Sequence, residues 1–200
     1  MQPFESLNAG GEYHVYSHGV GGCDLFVEPE DYDYFLKLYG KYVSPVADTH
    51  AWVWLKNHFH VLVRVDENGQ SDGFLDLSGL KNKPPHQHFS NLFNAYSKAI
   101  NKLYNTHGAL FERPFQRKRI DNPDYLCNVV AKIHHNPVHY GFCKHPLEYP
   151  WSSYLTCLSD KPTQLRRDEV MSWFGNKAAF EAGHESHDLK QNWHLFEFEE

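Results

Sequence analysis

Two histidines, His58 and His60, stand two residues apart in the run Asn57-His58-Phe59-His60-Val61-Leu62-Val63, which otherwise reads as a buried strand. Side chains at i and i+2 of a strand point to the same face. His58 and His60 therefore project together, while Phe59, Val61 and Val63 face the other way. Two imidazoles side by side on a rigid strand can form two arms of a divalent-metal site. The plainer reading is a pair of strand histidines satisfied by hydrogen bonds.

A second chemistry sits downstream. Across residues 90–120 the basic side chains are Lys98, Lys102, Arg113, Arg117, Lys118 and Arg119, and the only acid is Glu112. The whole chain carries a net charge of -6, so overall charge gives no argument for nucleic acid; the local excess does. Phe111, Phe115 and Gln116 interleave with the arginines. Arginines can contact phosphates or base edges while aromatics stack on unpaired bases. Lys98 and Lys102, four apart on a helix, form a ridge that suits phosphate contact and equally suits a solvated face.

The run His134, His135, His139 and His145 invites a further metal site, but helix-end histidines often bond carbonyls or stay in water, and no C-x-x-C set accompanies them. His14 and His18 read as ordinary strand-end histidines. The cysteines Cys23, Cys127, Cys143 and Cys157 form no paired motif, the N-terminus lacks a basic-then-apolar signal, and no stretch reaches the ~20 apolar residues of a membrane span. A reduced, cytoplasmic protein without membrane contact is expected.

These residues need a scaffold, and the patterning suggests one. Residues 1–11 read as a tail, 13–17 as a first strand, and Gly19, Gly21 and Gly22 as a loop. Pro29-Glu30-Asp31 opens a helix carrying Tyr32, Phe35, Leu36 and Tyr39. Residues 49–54 and 59–65 give strand material, 66–88 a polar loop, and 90–105 a helix with Phe89, Leu92, Phe93, Tyr96, Ile100 and Leu103 at helical spacing. Residues 111–120 read as an edge strand or extended arm, and a helix should run from 121 to Asn136, ending before Pro137. A short helix over 167–174 ends at Gly175. The expected class is α+β: a ferredoxin-like antiparallel sheet with helices on one face, plus a C-terminal helical extension. The expected division is a tail at 1–11, a domain at 12–155 with a loop insertion near 66–88, and an extension at 156–200.

Five segments come in an order that resembles a known family: Tyr13-His14-Val15-Tyr16 with its glycine loop, Asn57 to Val63, Gly108-Ala109-Leu110-Phe111-Glu112-Arg113-Pro114-Phe115, His135-Asn136-Pro137-Val138 with Gly141-Phe142, and Trp151-Ser152-Ser153-Tyr154. They look like the IS200-like single-tyrosine transposases, and more closely like the REP-associated tyrosine transposases (RAYTs). Such proteins are HUH nucleases. The resemblance implies a divalent metal, Mg²⁺ or Mn²⁺, held by His58, His60 and Asn136, and cleavage and rejoining of single-stranded or hairpin DNA through a phosphotyrosine. It leaves monomer and homodimer open. It also places Lys132 where the family carries its nucleophilic tyrosine. Tyr125, seven residues earlier on the same helical face, is the substitute nearest in register. The alternative is a domesticated DNA-binding module that no longer nicks. Asn136, before a proline at a helix end, also has the plain reading of helix punctuation.

Overall fold

The structure, a computed structural model, describes residues 5–67 and 83–185. Most of the expected 66–88 insertion and the last part of the C-terminal extension lie outside the described residues. Strand β1 (Glu12–His18) is followed by helix α1 (Pro29–Tyr42), the hairpin strands β2 (Ala47–Leu55) and β3 (His58–Val65), helix α2 (Pro85–Leu103) and strand β4 (Gln116–Arg119). The sheet order is β2-β3-β1-β4, with every neighbouring pair antiparallel. Two crossovers, through α1 and through α2, interleave to give the ferredoxin-like arrangement.

Alternation along the strands divides the side chains between two cores. On one face Tyr13, Val15, Trp54, Phe59, Val61 and Val63 meet Phe35 and Tyr39 of α1 and Phe89, Leu92, Phe93 and Tyr96 of α2. These helical residues recur at three- and four-residue intervals, which makes one apolar stripe per helix. The expected layer of helices on one face is therefore present. The opposite face carries helices as well. Ala51, Val53, Leu55 and Leu62 are covered by helix α3 (Leu126–His139), whose Leu126, Val129, Val130 and Ile133 point down. Helices α4 (Tyr154–Leu158), α5 (Arg167–Phe174) and α6 (Lys177–Glu185) pack behind it through Tyr154, Val170 and Phe180.

Three local features position the site. Gly19 closes β1: a Cβ there would stand 2.0 Å from the Cys23 carbonyl oxygen, so only glycine fits this approach. Helix α2 starts at Pro85, inside the segment expected to be loop. Helix α3 does not stop before Pro137 but continues through it to His139. A proline forfeits one intrahelical bond, a small loss in the last turn. The Tyr140 and Gly141 amides donate to Asn136 and Val138 carbonyls, and the Phe142 amide donates to Pro137, closing the end.

Candidate active site

The pairing of β1 with β3 sets Tyr16 opposite His60 and His18 opposite His58. Glu12, His14, Tyr16 and His18 thus share a face with His58, His60, Leu62 and Arg64. From β4, Lys118 joins that face beside His14, and Gln116 beside Tyr16. The rings form a continuous layer: His14 to Tyr16 4.7 Å, Tyr16 to His60 5.4 Å, and His18 to His58 5.1 Å between centroids. Helix α3 lies across one end of this layer. His58 Nε2 is 3.0 Å from Asn136 Oδ1, His58 Nδ1 is 2.8 Å from Asn57 Oδ1, and His14 Nε2 is 2.9 Å from His60 Nδ1.

Proton count makes the His58 environment informative. A neutral imidazole offers one N–H and one lone pair. Asn57 Oδ1 faces Nδ1 and Asn136 Oδ1 faces Nε2, so the single N–H of a neutral ring donates to one of these oxygens. The other ring nitrogen then presents its lone pair, the form in which an imidazole ligates a cation. Asn136 is wholly buried, and its Nδ2 has no hydrogen-bond partner among the described residues. That is not how an asparagine serving only as helix punctuation is held.

Two members of the layer, His14 and His60, are held neutral at pH 7. Burial, reinforced by the neighbouring His14, His58 and His18, holds His60 well below the ordinary histidine range. Burial and then the Lys118 ammonium push His14 down to about 3. Neutral imidazole is the form that ligates a metal. When His60 donates its Nδ1–H to His14, its Nε2 carries the lone pair, the form in which a ligating ring is usually oriented. Among the described residues no group of three His, Cys, Asp or Glu side chains could hold a metal; beside the two histidines the Asn136 oxygen could serve as a third protein ligand, 3.0 Å from His58 Nε2. Two imidazole nitrogens and an amide oxygen suit a divalent cation with water completing the shell.

Lys132 lies one turn before Asn136 and is only 3% exposed. Burial and then the Lys118 charge lower its pKa. Two positive side chains near the histidine face favour an anion there. Tyr125 is elsewhere. It sits half-buried against the apolar cluster between β2 and α3, with burial raising its pKa, two helical turns or roughly 10 Å along the axis from Lys132.

The basic cluster is divided by strand alternation. Lys118 faces the histidines, whereas Arg117 and Arg119 pair with Val15 and Tyr13 and belong to the other face. Arg117 lies over the Phe115 ring and bonds the Glu5 carbonyl, and Arg119 pairs with Asp121 at 2.8 Å. Arg113 bonds Asn94 on α2. Lys98 and Lys102 are exposed on α2, across the sheet from the histidines. Spacing in the sequence did not single out His14, Tyr16, His18 or Tyr140. Tyr140 stands edge-on to His58 at 4.8 Å. His134, Ser153 and His184 form a separate buried chain of hydrogen bonds that ties α3 to α6.

No protein-family model matches the chain, and no curated protein matches its sequence. Among solved structures it is similar to a REP-associated tyrosine transposase bound to a REP hairpin. The TM-score is 0.61 at 16% identity, over 81% of this chain and 88% of that one. The chain therefore has a transposase-like fold of that kind. A bacterial tRNA(His) guanylyltransferase-like protein, in complexes with GTP and with ATP, gives TM-scores of 0.36 and 0.38 at 13% and 10% identity. These cover 69% and 84% of this chain and 71% and 73% of the other, and at such scores they carry no argument. Among the described residues no helix is long and apolar enough to cross a membrane. The four cysteines are thiols.

Proposed function

We propose that this protein binds single-stranded or hairpin DNA at the face shared by β1, β3 and α3, and that metal-assisted strand cleavage and rejoining is the chemistry of that face. The observation that carries this reading is the approach of Asn136 Oδ1 to His58 Nε2 within a RAYT-like fold. His58, His60 and Asn136 would hold Mg²⁺ or Mn²⁺. The cation supplies polarisation of the scissile phosphate and stabilises charge on its oxygens. Asn57 and His14 orient the two ligating rings. Lys118 draws the phosphate backbone toward the site with Lys132 adding charge from beneath α3, Arg113, Arg117 and Arg119 extend the positive surface along the β4 edge, and Lys98 and Lys102 offer a separate positive ridge on α2.

A second reading has its own support. Lys132 stands where the resemblance puts the nucleophilic tyrosine, and a lysine there favours a binding module without phosphotyrosine chemistry at that position. Fluorescence anisotropy with a labelled hairpin, between about 50 and about 200 mM salt, tests the shared part of both readings. Binding that weakens steeply as salt rises is expected. No binding at the low-salt end removes the DNA reading. Equilibrium dialysis against Mn²⁺ tests the ligands: the His58→Ala/His60→Ala variant should lose the ion that the wild type retains.

A further inference from the structure

We propose that Tyr140 is the nucleophile of this site, acting from one turn after Asn136 in place of the residue one turn before it. The inference rests on the strand-cleavage reading above and deepens it. Its basis is which tyrosines reach the histidine layer and which of those a polymer can reach.

The continuation of α3 through Pro137 carries Tyr140 to the His58 end of the layer. Its amide donates to the Asn136 carbonyl at 3.0 Å, so it keeps helical register with the proposed ligand. Its ring meets the His58 ring edge to face, with centroids 4.8 Å apart and planes at 67°. Residues four apart share a helix face, so Tyr140, the cap of α3, follows Asn136 by one turn as Lys132 precedes it by one turn. Lys132 is enclosed under the helix at 3% exposed, whereas Tyr140 is 44% exposed at the open end. A DNA phosphodiester is part of a bulky chain and must approach from that open end. Tyr16, the other tyrosine of the layer, is 3% exposed between His14 and His60. Gly141 follows with φ 76°, turning the chain away from the ring.

In the step itself the Tyr140 Oη–P bond forms and the P–O3′ bond breaks. The phenol proton passes to solvent water, and the departing 3′ oxygen takes a proton from solvent. The products are a 5′-phosphotyrosine and a free 3′-hydroxyl, and attack by that hydroxyl reverses the step.

The sequence provides a direct readout. Trypsin cuts after Arg119, Lys132 and Lys144, so Tyr140 is the sole tyrosine of peptide 133–144, while Tyr125 and Lys132 share peptide 120–132. The full chain is incubated with hairpin DNA bearing single-stranded flanks and Mn²⁺, denatured, digested with nuclease and trypsin, and read by mass spectrometry. A nucleotide adduct on peptide 133–144 is expected. It should disappear in Tyr140→Phe while the native-gel shift of the hairpin persists. An adduct on peptide 120–132, on the uncut peptide 120–144 that a modified Lys132 leaves, or on any other peptide, or strand cleavage that survives in Tyr140→Phe, overturns Tyr140 with the cleavage reading intact. A hairpin shift without cleavage by the wild type overturns both nucleophile and cleavage but not binding. Neither shift nor cleavage overturns the DNA reading itself.

Discussion

Replacing Ser153 with alanine should destabilise the protein by about 2–4 kcal/mol, because the direction of every bond in its chain is fixed. The Phe180 carbonyl can only accept, so His184 donates to it through Nδ1 at 2.7 Å. His184 Nε2 must then accept from His134 Nδ1–H at 2.8 Å, and His134 Nε2 must accept from the Ser153 hydroxyl at 2.7 Å. Ser153 Oγ in turn accepts the Trp52 amide at 2.9 Å. Alanine strands two groups: a wholly buried His134 Nε2 and a part-buried Trp52 N–H. Each unsatisfied buried polar group costs roughly 1–3 kcal/mol, and water reaches the part-buried amide, which selects the lower half of the sum. Urea unfolding at pH 7.5, followed by tryptophan fluorescence, measures the change. A loss below about 0.5 kcal/mol would refute these bond directions, since it would mean that neither partner needed the hydroxyl.

Acid should destabilise the fold. Burial, the largest cause, pushes His50 and His184 down to about 4 from an ordinary 6.5, so the unfolded chain binds the extra protons. Stability is then full above pH 6.5 and falls toward pH 4, by up to about 1.4 kcal/mol per unit for each histidine. Glu12, raised by burial to about 7 from 4.5, has the opposite sign between those values and offsets one histidine. His14, His60 and His134 share the histidine sign, so a urea midpoint that rises between pH 7 and pH 5 contradicts this sum. Gly19→Ala should cost about 1–3 kcal/mol through overpacking against the Cys23 carbonyl, and an unchanged melting temperature would show that the loop yields freely. Lys118→Met should weaken hairpin affinity and lower the salt slope by about 1, because Lys118 is exposed on the histidine face. Unaltered affinity would remove Lys118 from the DNA-facing surface.

Strand β3 was legible because its alternation of histidine with Phe59, Val61 and Val63 matches a two-residue period, and α2 was legible from its aromatic stripe. The Asn136 position came from resemblance, and its proximity to His58 now has a distance. The roles of His14 and His18 were not legible, because they depend on the β1–β3 register, which is a long-range pairing. Tyr140 was missed because Pro137 reads as a helix stop, yet a proline in the last turn forfeits a single bond. The basic segment looked like one cluster because counting charges along a chain ignores alternation; β4 sends Lys118 to one face and Arg117 and Arg119 to the other.

The most direct test of the histidine face as a metal-dependent DNA site is a native gel of labelled hairpin DNA with and without Mn²⁺, comparing the wild type with His58→Ala/His60→Ala. The account predicts a shift that Mn²⁺ strengthens in the wild type and leaves unchanged in the variant. Equal strengthening by Mn²⁺ in both proteins would contradict it.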